Sequence, residues 1–196
     1  MKKRLTHLAD KSLGDTLLVI DMQNVYLEGQ PWECHNMTQT SHNIQKLIEA
    51  DVCDHIIFTR YIASTDPKGT WKNYNVTYAD INENPWMNEI IDDLKPYTIE
   101  HPVYDKSTYS SYQSKEVATL CHKADHVLIT GVVAECCILS TILNAIDSGD
   151  SIIYLYDGVS GLSSESEAMT KKIIDDFSPI HAQIMSIDEY IQMRQK

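Results

Sequence analysis

The sequence predicts an α/β domain in which helices cover both faces of a parallel sheet. Short apolar runs without a polar face, such as residues 16–20 and 127–129, are typical of buried central strands. The run at 127–129 is followed, from Cys137 onward, by apolar residues at helical spacing and by a stop at Gly149. Because strands and helices alternate along 196 residues, we expect one domain, residues 1–196, with its core at about 16–186.

Apolar runs predict further strands at 54–59, 151–156 and 182–185, and a third strand is expected to end at Lys106. Apolar periodicity predicts helices at 36–50, 86–94, 114–122 and 164–177. Residues 64–84 are polar and rich in aromatic side chains, with Pro67 and Gly69 as breakers. A loop of this length is typical of a lid over a site, and a contact between subunits is an equal alternative.

The composition excludes several function classes. A net charge of -12 does not provide the basic surface that nucleic-acid binding requires. No apolar segment follows the basic residues 2–4, so we expect neither a secretory signal nor a membrane span. The five cysteines are odd in number and scattered, without a Cys-x-x-Cys pair. This pattern indicates free thiols in a reducing, cytoplasmic compartment rather than a disulfide framework or a zinc finger.

Reactive side chains stand at the ends of three predicted strands: Asp21, Lys106 and Cys137. The carboxyl ends of parallel strands share one edge of a sheet, so the three could converge there. An acid could then take the thiol proton, a cation could hold the resulting charges, and backbone N–H groups could receive an oxyanion. Each residue also has a plainer interpretation: a helix-capping acid, a solvated surface lysine and a buried, inert cysteine.

Three stretches in order resemble the signature sequences of the isochorismatase-like cysteine hydrolases. They are residues 18–24, 105–110 and 130–137, which read LVIDMQN, DKSTYS and TGVVAECC, and the match runs from about residue 17 to 185. The resemblance implies a Rossmann-like, three-layer α/β/α sandwich with a six-stranded, mostly parallel sheet. It also implies a catalytic triad of Asp21, Lys106 and Cys137, a cis peptide bond between Val132 and Val133, and an oxyanion hole formed by the N–H groups of Val133 and Cys137.

Details of the match narrow the activity that the resemblance implies. The spacing from Gly131 makes Cys137 the nucleophile rather than the adjacent Cys136. Nicotinamidases of this family carry an Asp-x-His metal motif after the second strand, but residues 59–62 read TRYI, so we expect neither a metal nor nicotinamidase activity. True isochorismatases lack the nucleophilic cysteine, so Cys137 argues against vinyl-ether cleavage.

The resemblance therefore predicts a hydrolase of non-peptide C–N bonds, in a small amide or ureide, that acts through a Cys137 thioester without a cofactor. We expect a homo-oligomer, a dimer or tetramer, that uses water and binds neither nucleic acid nor membrane. Candidate substrate-binding residues are Tyr26, Arg60, Trp71 and Tyr74. Arg60 could hold a substrate carboxylate or equally form a structural ion pair, and Trp71 and Tyr74 could equally bury a subunit contact.

Other functions stay open at the level of the sequence. One alternative is an isochorismatase-type hydrolase of another small substrate, and another is a non-catalytic binding module on the same fold. A nucleotide-binding oxidoreductase is disfavoured because residues 21–24 contain no glycine. A cysteine-dependent phosphatase is excluded because no arginine follows Cys137 at the required loop spacing.

Overall fold

A computed structural model describes residues 12–196 and contains a six-stranded sheet. The strands are all parallel to their neighbours and lie in the order β3-β2-β1-β4-β5-β6. This confirms the predicted parallel sheet. The predicted absence of a secretory signal concerns residues 1–11, which lie outside the described residues. The strand bounds are β1 Asp15–Ile20, β2 His55–Tyr61, β3 Val103–Lys106, β4 His126–Val132, β5 Ile152–Ser160 and β6 Ala182–Met185.

Helices connect the strands and cover both faces of the sheet. In the described part of the chain they are α1 Met37–Glu49, α2 Trp71–Thr77, α3 Ala79–Asn82, α4 Pro85–Asn88, α5 Lys115–Cys121, α6 Leu139–Ser148, α7 Ser164–Asp175 and α8 Ile187–Arg194. None of the helices within residues 12–196 combines the length and the apolar character needed to cross a bilayer.

The alternation of side chains along β1 produces two hydrophobic cores. Leu17 and Val19 pack on one face of the sheet with apolar residues of α1 and α8. Leu18 and Ile20 pack on the other face with residues of α5, α6 and α7. Successive side chains of a strand point to opposite faces, so a strand buried on both sides reads as an uninterrupted apolar run. The predicted three-layer α/β/α arrangement is therefore confirmed.

The order of the strands changes direction at β1 and β4, which are parallel neighbours although they are far apart in sequence. Strands β2 and β3 lie on one side of this pair, and β5 and β6 lie on the other side. Open α/β sheets bind ligands at such a switch point, outside the carboxyl ends of the strands. Gly131 permits the close approach there, because a Cβ atom at this position would lie 2.0 Å from the Ile20 carbonyl oxygen, and its φ of 109° favours glycine.

The predicted helix at 86–94 is wrong. Only the single turn of α4 forms, and the residues after it pair with the loop that follows β1. Ile90 forms an antiparallel bridge with Gln23, and the Ile91 N–H donates to the Met22 carbonyl at 2.9 Å. The apolar side chains of Ile90 and Ile91 are buried in the core, which explains the pattern without a helix.

Several other boundaries differ from the prediction. The segment 64–84, predicted as a loop, contains α2 and α3. Ile81 is the only buried residue of these two helices. β2 and β5 extend past their predicted ends, to Tyr61 and Ser160. Helix α8 has no predicted counterpart, although it begins with a capping box formed by Ser186 and Glu189.

Candidate active site

Asp21 is the first residue after β1, and its side chain is completely buried. Its backbone has a φ of 52°, and its N–H donates to the Thr59 carbonyl oxygen at 3.1 Å. The Thr59 hydroxyl donates in turn to Asp21 Oδ1 at 2.9 Å. The neighbouring strand therefore fixes both the main chain and one oxygen of the carboxylate, and Asp21 does not cap a helix.

Lys106 ends β3 and is 5% exposed, so the interpretation as a solvated surface charge is wrong. Its ammonium group lies 2.6 Å from Asp21 Oδ2 and 3.5 Å from Cys137 Sγ. It also donates to the Thr108 carbonyl at 2.9 Å. The three donors of a lysine are thus directed at an acid, a thiol and a backbone oxygen. The charges also affect the lysine itself: burial lowers the pKa of Lys106, but Asp21 and Cys137 outweigh it, so the net pKa is raised.

Cys137 lies in a π-helical turn, Ala134–Ile138, between β4 and α6. The peptide bond before this turn, between Val132 and Val133, is cis. The Val133 carbonyl accepts from the N–H groups of Cys136 at 3.0 Å and Ile138 at 3.2 Å, which fixes the start of the turn. Cys137 is 3% exposed, and it is the cysteine that contacts Lys106. The contact with Lys106 therefore distinguishes Cys137 from the adjacent Cys136.

Burial dominates the protonation of Cys137. It raises the pKa of the thiol, Lys106 lowers it, and the charge of Asp21 and a hydrogen bond with it raise it again; the net pKa is above the ordinary value. The depth of the site therefore outweighs the ammonium charge of Lys106, which by itself favours a thiolate. The resting group is therefore a neutral thiol beside an ion pair, and Asp21 is the adjacent group able to accept its proton.

Cys137 opens onto a cavity of about 170 Å³. Its wall is mainly aromatic and is formed by Tyr26, Trp32, Tyr74, Tyr78 and Tyr109. Val133, Cys136, Cys137 and Leu162 complete the lining. Two larger depressions, of about 550 and 210 Å³, adjoin Ser107 and Thr108, but Cys137 does not line them. The volume of the Cys137 cavity is below the usual range of drug-sized ligand pockets, so it suits a small molecule.

The predicted substrate-binding residues divide into two groups. Tyr26 and Tyr74 line the cavity. Trp71 does not line it and instead packs behind the wall, with its ring centroid 5.0 Å from that of Tyr74 and 5.0 Å from that of Tyr109. Its role is therefore to support the wall rather than to contact a ligand in the cavity.

Arg60 also does not line the cavity, contrary to the suggested carboxylate anchor. Its guanidinium forms a bidentate pair with Asp105, with Nε–Oδ1 at 2.8 Å and Nη2–Oδ2 at 3.0 Å. Arg60 and Asp105 are cross-strand partners, and Tyr61 and Lys106 form the next pair. Because neighbouring residues of a strand face opposite sides, Arg60 points away from the face that carries Lys106. The structural ion pair is the correct interpretation.

Some residues of the site carry no specific sequence signal. Trp32, Tyr78 and Tyr109 come from three separate segments, and only their aromatic character in polar stretches after strands hints at a wall. Gln23 is a buried positioning residue: its Nε2 donates to the carbonyls of Tyr61 at 3.0 Å and Asn88 at 2.9 Å, and its Oε1 accepts from the Tyr61 N–H at 2.7 Å. It ties the loop after β1 to β2 and α4.

A bound metal ion would require a cluster of His, Cys, Asp or Glu side chains as ligands. Within residues 12–196 no group of three or more His, Cys, Asp or Glu side chains is arranged to hold a metal ion. The position of the nicotinamidase motif is occupied by Thr59, Arg60 and Tyr61, of which Thr59 and Arg60 are committed to Asp21 and Asp105. Metal-free activity stays a prediction.

Comparisons with known proteins agree with this fold. A family model described as Isochorismatase domain matches residues 15–189. A cysteine hydrolase from Pseudomonas syringae pv. phaseolicola 1448A superposes with a TM-score of 0.80 at 19% identity, over 93% of this chain and 93% of that chain. An isochorismatase-like hydrolase from Alkaliphilus metalliredigens gives 0.73 at 21% identity, over 92% and 97%. A nicotinamidase from Bacillus subtilis gives 0.70 at 19% identity, over 88% and 99%. No curated protein sequence gives a significant match.

Proposed function

Because the chain belongs to the isochorismatase family, we propose that it is a cysteine hydrolase of non-peptide C–N bonds in a small amide or ureide. The observation that carries this proposal is the buried contact of Lys106 with both Asp21, at 2.6 Å, and Cys137, at 3.5 Å. Such a set supplies a proton acceptor, a cation and a nucleophile within one water-poor site. A homo-oligomeric state and a cytoplasmic location stay predictions.

The reaction begins with transfer of the Cys137 proton to Asp21 as Sγ attacks the carbonyl carbon of the substrate. The carbonyl π electrons move to oxygen, and this oxyanion is received by the N–H groups of Val133 and Cys137. When the tetrahedral intermediate collapses, the C–N bond breaks and Asp21 returns the proton to the leaving nitrogen. The products of this half are a Cys137 thioester and ammonia or an amine.

Water completes the turnover. Asp21 accepts a proton from the water that attacks the thioester, the C–S bond breaks, and the proton passes to the Cys137 sulfur. The second product is a carboxylic acid. Lys106 holds Asp21 in place throughout and stabilises the thiolate as it forms, which offsets the burial that raises the pKa of Cys137.

The test uses the two adjacent cysteines as matched variants. We expect Cys137→Ala and Cys137→Ser to abolish ammonia release in a screen of small amides and ureides, whereas Cys136→Ser retains it. An acyl adduct on Cys137, detected by mass spectrometry after acid quench, would identify the thioester. Loss of activity in a folded Cys136→Ser protein with retention in Cys137→Ser would reverse the assignment of the nucleophile. Turnover in Cys137→Ala equal to that of the parent would refute the mechanism.

A further inference from the structure

The wall of the Cys137 cavity is a continuous set of aromatic rings. Trp32 lies at its centre, with ring-centroid distances of 5.8 Å to Tyr26 and 5.3 Å to Tyr78. Tyr74 continues the wall, 4.7 Å from Tyr78 and 6.4 Å from Tyr109. Burial raises the pKa of Tyr26 and Tyr74, so their hydroxyl groups stay neutral. The lining contains no charged side chain.

Lys106 and Arg60, the two cations described above, are already committed to other partners. The Lys106 ammonium is directed at Asp21, the Thr108 carbonyl and the thiol, and its side chain is 1% exposed. Arg60 is paired with Asp105 on the other face of β2. An anionic substrate group would therefore enter without a partner, at a high desolvation cost.

Two acidic side chains accept hydrogen bonds from the backbone at Gly161 and Leu162, and Leu162 lines the cavity. Glu135 Oε1 accepts from the Leu162 N–H at 3.2 Å, and Glu167 Oε1 accepts from the Gly161 N–H at 2.9 Å. The nearby basic group is His35, with Nδ1 3.6 Å from Glu167 Oε1. Burial is the largest influence that raises the pKa of Cys34 and that of Cys136. Both glutamates raise the pKa of Cys34 further, and Glu135 raises that of Cys136. Cys136 lines the cavity, so the negative charge of Glu135 acts on a residue of the cavity wall.

We propose that the substrate carries its amide on a small cationic group of the alkylammonium class, which the faces of Trp32 and the tyrosines bind. This inference rests on the function proposed above and specifies its substrate. The negative faces of aromatic rings attract a desolvated cation, and quaternary ammonium ions are recognised by aromatic cages of this kind. A neutral group of the same shape gains the contact area without the electrostatic attraction.

Matched amides test the charge directly. Trimethylammonioacetamide and 3,3-dimethylbutanamide have the same shape and differ in one positive charge, and malonamate supplies a carboxylate in a similar position. Because the ammonium group also activates the amide carbonyl by electron withdrawal, each kcat/KM is divided by the rate constant for alkaline hydrolysis of the same amide in solution. We expect this quotient for the cation to exceed that for the neutral amide by about tenfold or more, with the carboxylate poorest. An equal or larger quotient for the neutral amide or for malonamate overturns the inference.

Binding separates this inference from the amidase proposal. Cys137→Ala protein, titrated calorimetrically, should bind trimethylammonioacetamide more tightly than 3,3-dimethylbutanamide. If the parent hydrolyses neither amide while this preference is present, the amidase proposal fails and the substrate class stands. If Cys137→Ala shows no preference or binds neither amide, the substrate class is refuted.

Variants of the wall identify the rings that provide the preference. Trp32→Leu should reduce the cation-to-neutral ratio towards unity, whereas Tyr74→Phe, which keeps the ring and loses the hydroxyl, should preserve it. Trp86 is 48% exposed and does not line the cavity, so Trp86→Leu is the control and should leave the ratio unchanged. A ratio that survives Trp32→Leu or falls equally in Trp86→Leu contradicts the assignment. The comparison of amides on the parent does not depend on these variants.

Discussion

Replacing Lys106 with methionine should strongly destabilise the fold, because it leaves the buried Asp21 carboxylate without its cation. Removing one partner of a buried ion pair typically costs about 3–5 kcal/mol. Here both side chains are almost inaccessible, at 1% and 0% exposure, and Nζ lies 2.6 Å from Oδ2, so the full range applies. With a urea m-value of about 2 kcal/mol per molar, the unfolding midpoint should fall by roughly 2 M.

The double variant makes the reasoning testable. Lys106→Met combined with Asp21→Asn removes both charges, so we expect it to recover a large part of the stability lost in Lys106→Met alone. The control is Lys172→Met, which breaks the exposed pair with Asp176 at 2.8 Å and should leave the midpoint nearly unchanged. Unfolding in urea, followed by circular dichroism, measures all the variants. A loss in Lys106→Met no larger than in Lys172→Met, or simple additivity in the double variant, would refute the buried pair.

Further predictions concern pH, metal and backbone. Because burial raises the pKa of Cys137, the unfolded thiol ionises first, so stability should fall as pH rises above about 8.5, and fall less in Cys137→Ala; an equal decline in both proteins contradicts this. Ammonia release should survive dialysis against a strong chelator, since Arg60 occupies the place of the metal motif; recovery of a chelated, inactive sample by added zinc, iron or manganese would contradict it. Gly131→Ala should unfold the protein or lower its urea midpoint far more than Gly69→Ala, since both glycines have positive φ but only Gly131 lacks space for a Cβ.

The sequence could predict the sheet and the position of Asp21 at its edge for the same physical reason. Parallel strands buried on both faces read as apolar runs, and a polar residue directly after such a run marks the carboxyl end of the strand. Asp21 is found in this way, whereas Lys106 ends β3, an edge strand that is only partly buried and contains no apolar run. Strand β2 ends two residues beyond its predicted end, and this difference determines the environment of Arg60. A strand ending at Thr59 leaves Arg60 in a free loop, whereas a strand ending at Tyr61 fixes it beside Asp105.

Tyr26 and Tyr74 were predicted to lie at the site, but the rest of the cavity wall and the protonation of the thiol could not be predicted, because both depend on contacts between distant segments. Trp32, Tyr78 and Tyr109 are brought together only when the loops after β1, β2 and β3 fold over one another. Likewise, the sequence places Lys106 and a helix start beside Cys137 but does not reveal how deeply the thiol is buried. Burial is the largest influence on its pKa, and it has the opposite sign to the influence of Lys106.

The proposed mechanism keeps the net charge of Asp21, Lys106 and Cys137 constant in a dry site. In this proposal an ion pair of Asp21 and Lys106 stands beside a neutral thiol before proton transfer, and a neutral acid stands beside a thiolate and an ammonium afterwards. The net charge is zero in both states, so burial penalises the two states to a similar extent and adds little to the barrier between them. Without Lys106 the site would carry an uncompensated negative charge both before and after transfer. We therefore expect the loss of this cation to reduce both the stability of the fold and, in the proposed mechanism, the ionisation of the nucleophile.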